Sequence, residues 1–170
     1  RIVLGVHFPY QVLAGWIFGA IFLLLFLWLD PIVERAVGRL TLAPQLALTL
    51  GVPLILAVIY PHNDTVSSAA VMAGFSSGIV LTNRYFPFTA KGLWWQRILR
   101  SIIGLVILLA LYFGLSAIFP GDEAAAAPYY IFRFLRYGLL GLWIGFGAPW
   151  LFSRLRLQPK QAPKSEPKPA

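Results

Sequence analysis

The chain has no cysteine, so neither a disulfide framework nor a thiolate-bound metal can organise it, and its redox compartment stays open. Charged residues are scarce at 12%, against 59% apolar residues and a mean hydropathy of +0.75, which excludes an ordinary soluble domain. The strict apolar–polar alternation of a transmembrane barrel strand is missing as well. No initiator methionine precedes Arg1 and no basic segment leads into a short secretory core. The chain therefore reads as a fragment of a longer protein, and residues 12–29 as a retained span rather than a cleaved signal.

What remains is a set of long apolar stretches. Five of them, about 12–29, 42–60, 66–82, 98–119 and 131–152, approach the length needed to cross ~30 Å of hydrocarbon. Backbone groups in lipid must be satisfied within their own segment, so each stretch is expected to be a helix and the fold an all-α integral-membrane bundle over residues 1–157. The third stretch is short and rich in small residues between Val66 and Val80, which suits a packed span better than a lipid-facing one. Residues 158–170 alternate proline with lysine and polar residues, too little apolar surface to fold, and are expected to form a disordered cytoplasmic tail.

With five spans, the basic residues sort to one side. Arg35, Arg39, Arg84, Lys91, Arg97, Arg100, Arg154, Arg156, Lys160, Lys164 and Lys168 share it, while only Arg1, Arg133 and Arg136 lie toward the other. The excess of lysine and arginine marks the first side as cytoplasmic, so the amino-terminal residues face periplasm or exterior, as expected for a bacterial inner-membrane protein. Dropping the third span would move Arg84, Lys91 and Arg97 across and destroy the asymmetry. The pairs Gly15/Gly19, Gly74/Gly78 and Gly141/Gly145 each put small residues four apart, a spacing that lets helices pack closely within one chain or, in a homo-oligomer, between copies. Trp94, Trp95 and Phe86-Pro87-Phe88 fit a cytoplasmic aromatic belt, and Tyr129, Tyr130 and Tyr137 an outward one.

The residues that carry chemistry open the chain: Arg1, five residues, His7, three residues, Gln11, then Val12, Gly15 and Gly19. An arginine presents a planar fork of donors to phosphoryl oxygens, and a histidine is suited to act as nucleophile or acid/base near neutral pH. The spacing resembles the third signature of the type 2 phosphatidic acid phosphatase superfamily. Gln11 departs from it, standing where most members carry aspartate; the run His7-Phe8-Pro9-Tyr10-Gln11-Val12 is similar instead to the glucose-6-phosphatase branch. The stretches around Asn83-Arg84-Tyr85-Phe86 and Gln96–Gly104 resemble multispanning members such as the sphingosine-1-phosphate phosphatase-like and glucose-6-phosphatase-like branches.

The resemblance implies that His7 attacks phosphorus and becomes a phosphohistidine while Arg1 binds the phosphoryl oxygens, a scheme with no metal and no cofactor. A residue four after the histidine can accept the Nδ1 proton and leave Nε2 free. Glutamine would orient the ring through its amide oxygen without the electrostatic support an aspartate gives the imidazolium. The family's two upstream signatures, one of which supplies the leaving-group acid, are not in these residues, so this part alone is expected to be inactive.

Three further residues are candidates for substrate contact. His62, in Tyr60-Pro61-His62-Asn63-Asp64, falls on the outward side, where Asp64 or Thr65 would cap the third helix. Arg133 and Arg136 stand near the start of the fifth span, placed either to snorkel to the surface or to hold an anionic headgroup. The expected function is a membrane phosphatase acting on a phosphomonoester or pyrophosphate of a lipid, with the lipid in the membrane as partner and no nucleic acid. The alternatives are an enzyme acting on a soluble sugar phosphate and a non-catalytic scaffold or transporter domain.

Overall fold

A computed structural model describes residues 9–86, 88–119 and 126–157. They form α1 (Pro9–Gly38), α2 (Leu42–Ile59), α3 (Asn63–Tyr85), α4 (Trp94–Ile118) and α5 (Ala126–Leu142), then a π turn (Trp143–Gly147) that leads into α6 (Ala148–Arg154). No strand occurs among the described residues. Among the described residues five helices are long and apolar enough to cross a membrane, the last running through the π turn as Pro128–Arg154. The fold is thus an all-α membrane bundle. The tail expected at 158–170 and the acidic loop residues 120–125 lie outside the described residues.

The chain divides into two units, Arg1–Thr41 and Leu42–Ala170. The first holds α1, which continues through Asp30 and Pro31 to Gly38, nine residues beyond the span expected from hydropathy. Pro31 lacks the N–H that would close the preceding turn. The helix resumes after it, and the Arg35 Nε donates to the Pro31 carbonyl at 2.7 Å. Among the described residues of its own unit, α1 has no helix to pack on, and side chains such as Trp16, Phe22 and Trp28 are exposed.

In the second unit α3 packs chiefly on α5 and α2. It is less hydropathic than α1, α2 and α4 and is the most enclosed of the five spans, with 44% of its apolar window buried against 22% for the fifth span, 11% for α2 and none for α4. The reason is a stripe of small residues: Ala69, Ala70, Ala73, Gly74, Ser77 and Gly78 recur at helical spacing and are buried. A β-carbon built on Gly74 would collide with the Gly138 carbonyl, and one on Gly141 with the Val71 carbonyl. These helices therefore touch backbone to backbone. In lipid no hydrophobic force favours helix over solvent, so this close van der Waals packing and the hydrogen bonds between helices hold the bundle.

One such bond explains the π turn. Pro149 has no N–H, so the Gly145 carbonyl lacks its α-helical donor. The Thr82 hydroxyl of α3 supplies one at 2.7 Å, both groups being buried. The neighbouring Trp143 Nε1 donates to the Gly104 carbonyl of α4 at 3.3 Å, tying the fourth helix to the same turn.

Candidate functional site

His7 and Arg1 lie outside the described residues; of the three residues expected to carry the chemistry, the structure describes Gln11. It stands exposed on the opening turn of α1, which begins at Pro9. Proline is suited to that position because the first N–H groups of a helix have no partner within it to lose.

The other three candidates belong to the second unit and meet at one end of the bundle. His62 precedes α3 in an extended conformation and caps it: its Nδ1 accepts from the Asp64 N–H at a long 3.5 Å. The cap is therefore His62 itself rather than Asp64 or Thr65. Its ring stacks on Tyr60 with centroids 5.9 Å apart, and Nδ1 lies 4.0 Å from the Asp64 carboxylate. Both side chains are mostly exposed, at 59% and 92%, so the pair contributes little to stability.

Arg133 reaches from α5 to the first turn of α3. Its Nε donates to the Asn63 carbonyl at 3.1 Å and to the Ser67 hydroxyl at 2.7 Å, and a terminal nitrogen donates to the Tyr129 hydroxyl at 2.6 Å. Arg136, nearly one turn on, points toward α4, donating to the Ser116 hydroxyl at 3.2 Å and lying over the Tyr112 ring at 5.0 Å. The two guanidinium groups share Tyr137, at 5.4 and 5.1 Å from its ring centre. Neither snorkels away from the bundle; both are half-buried and held by neutral partners.

That choice of partners has a consequence. Aromatic faces and hydroxyls can keep a guanidinium charged, at ~0.5–2 kcal/mol for each cation–π contact, but they do not neutralise it. Asp64 is the one carboxylate among the described residues of this unit, and its recorded ion-pair contact is with His62. Arg136 Nε is buried without a hydrogen bond, as is the Asn63 Oδ1. A cationic pair with a spare donor and no counter-ion among the described residues of its unit is suited to an anion, and phosphoryl oxygens fit a guanidinium fork. Sequence spacing marked the two arginines, but not the residues that hold them. The repeat Tyr129–Arg133–Tyr137, each four apart, was the available signal.

The family model of the PAP2 superfamily phosphatase, transmembrane extension, matches residues 66–161. The match covers α4 to α6, almost all of α3, and both arginines, and it excludes residues 1–19, whose signature is therefore a separate indication. No curated protein and no solved structure matches the chain.

Proposed function

The chain belongs to the PAP2 superfamily phosphatase transmembrane-extension family, and from that premise we propose that it is the carboxyl-terminal part of a membrane enzyme that hydrolyses a phosphomonoester or pyrophosphate of a lipid at the outward face. The observation that carries this reading is the agreement of two separate stretches, the Arg1–His7–Gln11 spacing and the family match over 66–161, on one superfamily.

In this reading His7 Nε2 attacks phosphorus, the phosphorus–oxygen bond to the leaving group breaks, and an acid upstream of residue 1 protonates the departing oxygen. Water then cleaves the phosphohistidine. Splitting the displacement in two lowers each barrier, and Arg1 stabilises the charge on the equatorial oxygens in both steps. Gln11 is assigned the orientation of the His7 ring. Its place on the opening turn of α1 supports that role, because a residue four earlier would share its face if the helical path extended back to it. Arg133 and Arg136 are assigned to a phosphorylated headgroup, supported by their lack of a counter-ion among the described residues of their unit. The basic-residue asymmetry supports an outward site and a cytoplasmic tail.

A soluble sugar phosphate is the second reading, favoured by Gln11 alone. The full-length reading frame, expressed in membranes and assayed in parallel on phosphatidic acid, a lipid pyrophosphate and glucose 6-phosphate, separates them. Phosphate release from a lipid that is lost in His7→Ala supports the proposal. Release from glucose 6-phosphate only supports the second reading, and no release from any of these in a protein that folds contradicts both.

A further inference from the structure

At the end of the bundle opposite His62, α4 and the α5–α6 segment part to leave an open cleft of about 790 Å³. Its walls are graded. Along α4 the lining begins at Arg97, passes Ser101 and Gly104, and ends at Leu105 and Leu108, so one helix face runs from cation through hydroxyl to hydrocarbon between residues 97 and 108, about 16 Å of rise. The facing wall is apolar from Phe152 and Ala148 to Ile144, with the Trp143 ring beside it. Lys91 stands over the same mouth.

Arg100 fixes this mouth without contributing a free charge to it. Its side chain is 6% exposed, and its guanidinium donates to the carbonyls of Thr89, Ala90, Lys91 and Gln96 at 3.0–3.2 Å, while lying over the Phe88 ring. Those carbonyls absorb its donors and hold the segment that carries Lys91. Lys91 and Arg97 are exposed, and the sole described carboxylate of this unit, Asp64, opens α3 while this cleft lies toward the far end of that 23-residue helix. A cationic rim above a hydrocarbon trough repeats, in order and in length, the layout of a phospholipid with an anionic headgroup. Basic pockets between membrane helices are suited to such headgroups, each cation adding about fivefold in affinity.

We propose that this cleft binds one anionic diacyl phospholipid from the leaflet on the basic side of the protein, its phosphate between Lys91 and Arg97 and an acyl chain along Leu105, Leu108 and Ile144. The proposal rests on the residues of this unit and does not depend on the phosphatase reading. A bound lipid here would brace α4 against the π turn, where the direct ties are the Trp143–Gly104 bond and the side chains around Phe152.

The test uses the full chain purified in mixed micelles holding equal amounts of phosphatidylglycerol and phosphatidylcholine, with retained lipid measured by native mass spectrometry. The expected result is about one phosphatidylglycerol per chain, reduced about fivefold by Lys91→Gln or by Arg97→Gln and more by both. Leu105→Trp, which fills the trough, should lower retention of either lipid while the helical circular dichroism and melting stay as in the parent. Excess glycerol 3-phosphate should not displace the lipid, because it offers no acyl chain. Equal retention of the two lipids, full retention in the double variant, or displacement by glycerol 3-phosphate would overturn the proposal. So would a chain that runs as a dimer and is made monomeric by Leu105→Trp, since a second copy would then occupy the cleft.

Discussion

α1 and α3 are both long helices with glycines four residues apart, yet they serve different ends. In α3 the spacing is part of a stripe of small residues, and Gly74 and Gly78 bring its backbone against Gly138 and Gly145. In α1 Gly15 and Gly19 are flanked by Trp16, Ile17 and Phe18, and the described residues of the unit hold no second helix to receive them. Spacing alone therefore does not make a packing face; the residues around it must be small too. The helix that holds the bundle together carries no candidate nucleophile, and the helix next to the candidate nucleophile packs on no other helix among the described residues of its own unit. The proposed nucleophile and the packing that holds the bundle lie in different parts of the chain, and substitutions in the two should fail in different ways.

The largest effect is expected at His7. His7→Ala in the full-length protein should lower phosphate release by at least about 10⁴-fold, as when other enzymes lose their nucleophile, with the melting temperature unchanged. Loss of both folding and activity would break the division. In the bundle, Gly74→Leu or Gly141→Leu should have the reverse signature. Each would drive a side chain into a facing backbone that cannot repack, at a cost of about 3 kcal/mol or more, and should abolish the cooperative melt of the bundle. Gly15→Leu, measured beside them, is expected to leave that melt in place.

Smaller effects sharpen the comparison. Gln11→Ala should reduce kcat by roughly ten- to a thousandfold, the range expected when an imidazole loses its orienting partner but stays in place. Gln11→Asp should keep activity and move the acid limb of the pH–rate profile upward, because a carboxylate favours the protonated ring and raises the pH at which His7 loses its proton. Indistinguishable profiles for Gln, Asp and Ala at position 11 would show that this side chain does not act on His7. The smallest effect is expected for Thr82→Val, which strands the Gly145 carbonyl next to Pro149. Bonds of this kind within membranes contribute about 0.6–2 kcal/mol, so denaturant unfolding in detergent should register a modest loss with the fold retained.

Hydropathy and loop charge made the all-α membrane fold and the number of apolar spans legible, because a bilayer leaves the backbone few other choices. The packed character of the third span was legible in its alanines, serines and glycines. Helix ends were less so. Hydropathy ends at Asp30, but the α1 backbone does not, and α4 begins at Trp94 rather than near residue 98 because the Gln96 side chain accepts the Leu93 N–H at 3.1 Å and starts the helix earlier. The π turn could not be foreseen from Pro149 alone, since it depends on Thr82, 63 residues distant in sequence. The same limit applied to the candidate site: the arginines were visible as charges in an apolar segment, whereas Asn63, Ser67 and Ser116 reach them only through the packing of α3 and α4 on α5.

The central claim, that phosphoryl transfer passes through the residues next to α1 while the bundle supports it, is tested most directly by trapping the intermediate. The full-length protein is mixed with a ³²P-labelled lipid phosphate, quenched in alkali to preserve phosphohistidine, digested and mapped. The account predicts an acid-labile label on the peptide containing His7, present in the parent and in Gln11→Asp and absent in His7→Ala. A label on any other residue, or one that persists in His7→Ala, would contradict it.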